Sequence, residues 1–441
     1  MSATNIAVIG LWHQGVVGAA CLADLGFSVI AGDPNQAVVD GMKNGRLPVF
    51  EPGLDALVAK GLASGQLRLA DDLSAAVSAA DFVCLMFDTP VDDEDKSDLT
   101  GIFSVVQAIA AKLTKTAIVC VTAQVPIGTC AQLSKILDAG AGRKVGIAYS
   151  PENLRLGQAI ERFKDPALPV IGADDPVVFD RLAALFAPLS KSWRRTDVAT
   201  AEMLKHALNG FLGVSICFAN ELGNLCDAVG ANGPKIAELL RLEPRVGPKA
   251  MLMPGLGFSG GTLARDLITL RSLGDRAEID TMLLDGAWVS NQAQNRLVVK
   301  RLRQFLGDLT GKRICVLGLT YKADTSTLRR SAAVEVVRDL VAAGARVCAS
   351  DPGADPVEVA ALSFISFHAS PFDAAAGADA LVLMTPWSTY RTIDLARLRQ
   401  AMHGDILFDT ARLWSADAGT AAGFRYVGIG GGLLPASGKG K

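Results

Sequence analysis

The sequence predicts an α/β protein in which two parallel-sheet units flank a helical middle. Three observations carry this. Short apolar runs alternate with Ala/Leu-rich helical stretches over the first third of the chain. Near Thr196 the alternation stops, and apolar residues then recur at helical spacing as far as Val229. It resumes at Lys312. Strands that are apolar at every residue, rather than at every second one, are buried on both faces, as in parallel sheets covered by helices.

Taken in order, Ile6–Ile9, Ser28–Gly32, Phe82–Met86, Ala117–Val121 and Val145–Ala148 read as the strands of the first sheet. Val16–Leu25, Leu54–Leu62 and Ile102–Leu113 read as helices between them. Thr196 to Val229 reads as one long connector or interface helix, with Cys217 and Cys226 as packing residues on it. A Gly/Pro-rich stretch, Pro244 to Gly261, precedes more helix to about Leu306. In the last third, Ile314–Leu317, Arg346–Ala349, Ala380–Met384 and Ile406–Phe408 read as strands and Ala332–Ala343 as a helix. Gly430 to Lys441 is rich in Gly, Ser and Lys and reads as a frayed tail. The expected boundaries are 1–196, 197–305, 306–430 and 431–441.

At 441 residues the chain is long enough for two or three domains, and its 50% hydrophobic content excludes a mainly disordered protein. Lys plus Arg (43) nearly balance Asp plus Glu (45), so nothing favours nucleic acid or an anionic membrane as partner. No apolar run approaches the ~18 residues that span a bilayer. The start, Met1-Ser-Ala-Thr-Asn5, has no basic targeting region, which points to the cytoplasm. Eight cysteines stand singly, without metal-type spacing, and read as reduced, buried thiols; no metal is expected.

Gly10-Leu-Trp-His-Gln-Gly15 joins the first strand to the first helix. A dinucleotide loop uses glycine at a tight turn, at the closest approach to the pyrophosphate, and at the helix–strand contact. Gly10 and Gly15 supply the first and third, and Trp12 occupies the second. Asp33 ends the second strand, where a carboxylate accepts from an adenosine ribose and repels a 2′-phosphate, favouring NAD over NADP.

Further motifs are spread along the chain. They are Pro48-Val-Phe-Glu-Pro-Gly-Leu54, Asp88-Thr-Pro90 with Asp98-Leu99, Val125-Pro-Ile-Gly-Thr129 and Ser150-Pro-Glu-Asn-Leu154. Next come Ala201-Glu-Met-Leu-Lys-His-Ala-Leu-Asn209, Asn220-Glu-Leu-Gly-Asn-Leu-Cys226, and Pro254-Gly-Leu-Gly-Phe258 with Gly260, Gly261 and Asp266. The last are Val316-Leu-Gly-Leu-Thr-Tyr-Lys322, Arg329, Ser331 and Asp351-Pro352. In order and spacing, from about residue 5 to about 430, the chain resembles the UDP-glucose/GDP-mannose dehydrogenase family.

The resemblance implies two Rossmann-like, doubly wound parallel-sheet domains joined by a long central helix, with NAD on the first and a nucleotide sugar on the second. It implies a homodimer built around that helix, with Phe211, Leu212 and Phe218 as candidate interface residues. The implied chemistry is oxidation of a sugar's primary alcohol to a carboxylate in two hydride transfers. Lys205 and Asn209, four apart and so on one helix face, are the implied donors to the developing alkoxide, with Asp266 orienting a water or the lysine. Glu152 matches an acid/base glutamate. Thr89, Gln124 and Arg329 join Gly10, Trp12, Gly15 and Asp33 as implied cofactor residues, Gln124 standing where a threonine is usual. Arg245, Phe258, Gly260, Gly261, Lys322 and Arg412 are the implied nucleotide-sugar residues.

Two departures bear on the chemistry. Leu156 replaces a second glutamate and cannot hold a water or take a proton. Thr262 stands where the resemblance places a cysteine nucleophile. An aldehyde yields no second hydride until it becomes a tetrahedral adduct. A thiolate forms that adduct readily, whereas a threonine hydroxyl without a base partner does not. Arg265 also replaces a lysine, keeping the charge but changing its shape. The reading is therefore an NAD-dependent dehydrogenase of UDP-glucose or a related UDP-hexose that stops after one hydride transfer. The alternatives are full four-electron oxidation through an aldehyde hydrate, with Glu152 activating water, and a non-catalytic nucleotide-sugar-binding homologue.

Overall fold

The computed structural model describes residues 4–432 apart from 88, 91, 93–96, 153 and 259–261. Gly260 and Gly261 therefore lie outside the described residues, as do Asp88, Asn153 and the tail from residue 433. The chain forms two compact units, Met1–Leu208 and Asn209–Lys441.

The first unit holds an eight-stranded sheet of β1 (Asn5–Ile9), β2 (Ser28–Gly32), β3 (Leu67–Leu69), β4 (Phe82–Leu85), β5 (Ile118–Val121), β6 (Gly146–Tyr149), β7 (Val170–Gly172) and β8 (Arg194–Thr196). Their order is β3-β2-β1-β4-β5-β6-β7-β8, parallel at every junction except β6–β7. Alternate residues of the central strands enter two different cores. Ile6, Val8 and Cys84 pack on one face, and Ala7, Ile9, Val83 and Leu85 on the other. Burial on both faces is why these strands carry unbroken apolar runs.

The second unit repeats the plan with β9 (Arg313–Leu317), β10 (Arg346–Ser350), β11 (Ser366–Phe367), β12 (Ala380–Leu383), β13 (Ile406–Asp409) and β14 (Arg425–Gly428). The order is β11-β10-β9-β12-β13-β14, all parallel. Ile314 and Val316 face one core, Cys315 and Leu317 the other. Both sheets thus contain the 3-2-1-4-5-6 order of a doubly wound dinucleotide fold, and the predicted fold class holds. The strands that the sequence pattern does not reveal are β3, β7, β8, β11 and β14. All are at or near sheet edges and short, and β8 is Arg-Arg-Thr with no apolar pattern.

Five helices position the candidate site. Helix α1 (His13–Asp24) follows the first glycine loop, and α2 (Thr129–Ala141) follows β5. The long helix is α3 (Val198–Val229), and α4 (Leu263–Ala277) and α5 (Met282–Asn295) lie beyond it.

Six of the residues that α3 buries are polar: Glu202, Lys205, His206, Asn209, Asn220 and Asp227. Each grips backbone or a buried side chain, which is what makes the burial tolerable. The Glu202 carboxylate accepts from the N–H groups of Gly128 (2.6 Å) and Cys130 (2.8 Å) and so caps the start of α2. His206 Nε2 lies 2.9 Å from the Val125 carbonyl. Among the described residues, no helix is long and apolar enough to cross a membrane.

Candidate active site

The glycine loop is built as a dinucleotide turn. Gly10 has φ +96°, and its N–H donates to Gly32 O at 2.9 Å. A Cβ on Gly15 would lie 1.6 Å from Gly10 O, so no side chain fits at that helix–strand contact. Trp12 has φ −84° and ψ −155°, extended backbone that needs no glycine, and the residue is 44% exposed. No side chain caps α1, which leaves its first-turn N–H groups directed at the loop, as a pyrophosphate requires. Asp33 Oδ2 accepts from Leu11 N (2.6 Å) and Oδ1 from Asn35 N (2.8 Å), and the half-buried carboxylate keeps lone pairs for a ribose. These residues fit NAD.

The second unit copies the turn but closes it. Gly318 has φ +88° and donates to Ser350 O at 2.8 Å, and Leu319 N donates to Asp351 Oδ2 at 2.6 Å. That oxygen also accepts from Thr320 N (3.0 Å), Thr320 Oγ1 (3.1 Å) and Trp387 Nε1 (3.1 Å). Asp351 is buried, and the donors on its Oδ2 all come from the protein itself. The fold is duplicated, but only the first copy keeps an accessible ribose carboxylate.

Glu51, in the Pro48–Leu54 motif, is a structural part of the site to which the sequence alone assigns no role. It is buried and lies 3.1 Å from His13 Nε2. It also accepts from Gly157 N (2.9 Å) and Ala159 N (2.8 Å), tying the glycine loop to the segment after Glu152. Gln14 reaches Thr122 O (3.1 Å) and Oγ1 (2.8 Å), two residues before Gln124. Thr89 is buried in the loop after β4.

Lys205 and Asn209 are both buried, one turn apart on α3. Lys205 Nζ donates to the Glu152 carbonyl, and Asn209 Nδ2 donates to Asp266 Oδ2. Asp266 has no exposed surface and sits in the first turn of α4. The Glu152 carboxylate accepts from Leu154 N, folding back on its own loop. Thr262 immediately precedes α4, is exposed, makes no side-chain cap, and accepts from Asp266 N through its carbonyl at 3.2 Å. All eight cysteines are free and buried. Burial pushes the thiols up: Cys21 and Cys84 to about 12 and Cys217 to about 11. None of the eight lies in the loop that precedes α4.

The segment Pro254–Phe258 is neither helix nor strand, and side chains satisfy its backbone. Arg412 Nη1 donates to Pro254 O (2.8 Å). Asn220 accepts from Gly255 N (2.7 Å) and donates to Leu256 O (3.2 Å). Gln294 donates to Gly255 O (2.6 Å) while Asn224 donates to Gln294 Oε1 (2.8 Å). Asn291 takes both polar groups of Phe258, accepting from N and donating to O, each at 2.8 Å. Phe258 packs against the small cluster of Cys217, Leu267 and Ala287. The sequence carries a signal for these amides in their spacing: Asn220/Asn224 and Asn291/Gln294 are four and three apart, each pair on one helix face.

The remaining cations are placed differently. Arg412 has φ +52° between two N–H groups, those of Ala411 and Trp414, that donate to Asp409. Burial holds its pKa below the ordinary arginine value, and its Nη2 is buried without a partner. Arg245 is exposed and paired with Glu243 at 2.8 Å. Lys322 and Arg329 are exposed in the loop after β9.

Family models agree with this geometry. Those of the UDP-glucose/GDP-mannose dehydrogenase family match at residues 4–190 (NAD binding domain), 199–293 (central domain) and 315–416 (UDP binding domain). The chain is 35% identical over 434 residues to the UDP-glucose 6-dehydrogenase of Rhizobium meliloti, covering 97% of this chain and 99% of that one. It is 30% identical to UDP-glucose 6-dehydrogenase TuaD of Bacillus subtilis, over 97% and 93% of the two chains. The solved structure of a UDP-glucose dehydrogenase from Pyrobaculum islandicum superposes with a TM-score of 0.89 at 28% identity, over 97% of this chain and 98% of that one. The chain is an NAD-dependent oxidoreductase and belongs to the UDP-glucose/GDP-mannose dehydrogenase family.

Proposed function

We propose that this protein oxidises the primary alcohol of a UDP-hexose, UDP-glucose by default, and stops at the aldehyde. The observation that carries the truncation is Thr262 at the start of α4, in a chain whose eight thiols are all buried. NAD, when bound, accepts the hydride from the carbinol carbon. Lys205 and Asn209 hold the oxygen that is losing its proton; both are buried, so their hydrogen bonds act with little screening. Asp266 fixes the Asn209 amide through the hydrogen bond already made. The net change is alcohol plus NAD to aldehyde, NADH and a proton. Against a second oxidation through the hydrate stand Leu156 and the Glu152 carboxylate, which is turned onto Leu154 N.

The test is product stoichiometry. Purified protein with UDP-glucose and NAD should yield one NADH per sugar and an oxime when hydroxylamine is present. Two NADH per sugar and a uronate would overturn the truncation. No NADH with any UDP-hexose would leave only a binding role.

We further infer that the working form is a homodimer through α3, in the cytoplasm where NAD and nucleotide sugars are available. Phe211, Phe218 and Leu225 recur every seven residues on α3, with Val229 one turn on, and all four are exposed. Light scattering should give twice the 46.1 kDa chain mass, and Phe218→Asp should shift it toward one chain. A single-chain mass for the unaltered protein would sink this assignment.

A further inference from the structure

We propose that Asn291, supported by Gln294, is a positioning residue for nucleotide-sugar binding, acting through the backbone of the Pro254–Phe258 segment. This rests on the reading of that segment as the sugar loop. A loop of this composition has little to hold it: glycine at 255 and 257 gives maximal backbone freedom, and no strand or helix pairs with it. The freedom is removed by amides from α3 and α5. Asn291 is the only one of them that takes both the N–H and the carbonyl of a single residue, reproducing with one side chain the two-bond exchange of an antiparallel strand pair.

Three features make the clamp rigid. Asn291, Gln294 and Asn220 are each less than 5% exposed, so water does not compete for their bonds. Asn291 and Gln294 lie on one face of α5, so the loop is held at two points along a rigid helix. Finally, Gly257 sits so close to α5 that a Cβ there would meet Asn295 Oδ1 at 2.2 Å and Asn291 Oδ1 at 2.7 Å. The loop backbone therefore lies directly against α5. Phe258, the clamped residue, is four residues before Thr262 in the sequence. A clamp of this kind acts on the ligand by pre-ordering the loop, which lowers the entropy lost on binding.

The experiment compares Asn291→Asp and Asn291→Ala with the unaltered protein by calorimetry, titrating UDP-glucose and NAD separately, with thermal melts as a folding control. Asn291→Asp keeps the acceptor for Phe258 N but sets a carboxylate oxygen against Phe258 O. We expect the UDP-glucose Kd to rise about tenfold or more in both variants, with the NAD Kd within about twofold of the original. Should Asn291→Ala fail to fold, Asn291→Asp decides alone. Folded variants that keep the original UDP-glucose Kd, or that lose UDP-glucose and NAD together, would overturn the proposal. Unaltered protein that binds no UDP-sugar would overturn the sugar-loop reading and this proposal with it, which separates the two failures.

Discussion

Thr262→Cys should change the product, raising the yield from one NADH per UDP-glucose to two and replacing the aldehyde by the uronate. Position 262 is already suited to a nucleophile. It is exposed, whereas every native cysteine is buried. It also directly precedes α4, where the N–H groups of the first helical turn stabilise a thiolate. A thiol there adds to the aldehyde, the adduct loses the second hydride to another NAD, and water cleaves the thioester. Electrons and atoms then balance as one alcohol and one water going to one acid, with two NAD reduced. Alkylation gives an independent check. Iodoacetamide should label the new thiol quickly and the eight native ones slowly, since all eight native thiols are buried. Adding Leu156→Glu should speed the second step further by restoring a group that can take a proton from water. A rapidly labelled Thr262→Cys protein that still gives one NADH per sugar would show that the second oxidation is blocked by something other than the missing thiol.

How legible each feature is in the sequence depends on how it is determined. Central strands such as β1 and β9 are readable because burial on both faces leaves an unbroken apolar run. Edge strands are not, because β8 (Arg-Arg-Thr) and β11 (Ser-Phe) pair on one side only and need no apolar pattern. Gly10 and Gly15 are readable because backbone geometry forbids anything else there. Trp12 breaks the glycine pattern without breaking the turn, since its backbone is extended. The polar grips of α3 are the least legible part. Glu202, Asn220 and Asp227 look in sequence like the solvated face of a helix, and only tertiary contact shows that they face inward. The site residues given by family resemblance divide in the same way. Lys205, Asn209 and Asp266 are buried and held by hydrogen bonds, and Arg412 is fixed to Pro254. Arg245, Lys322 and Arg329 remain exposed.

Asp227→Ala should produce a large loss of stability in the second unit. Asp227 lies on α3, and its carboxylate is 5% exposed. Oδ2 accepts from Arg301 Nη2 at 2.9 Å and from Gly430 N at 3.1 Å, and Oδ1 accepts from Gly432 N at 3.0 Å. Truncation therefore strands a guanidinium that is itself 7% exposed, together with two backbone N–H groups. Breaking a buried pair from one side costs about 3–5 kcal/mol, which in a unit of this size lowers Tm by roughly 10 °C. Arg301→Met should cost less, because Asp227 keeps both backbone donors after the guanidinium is gone. The order of the two effects is thus diagnostic: a simple ion pair would lose similar amounts from either side. The damage should also reach binding. The segment Asp227 holds, after β14, places Gly430 against Gly223 and Pro254, where a Cβ on Gly430 would lie 3.1 Å from Gly223 Cα and 3.2 Å from Pro254 Cβ. Releasing that segment frees the start of the Pro254–Phe258 loop. Differential calorimetry on the two variants checks the stability order. UDP-glucose titration below the lowered Tm should then show weakened binding in Asp227→Ala and near-original binding in Arg301→Met. Equal destabilisation by the two substitutions would reduce the contact to its ion pair and remove the anchoring role of Asp227.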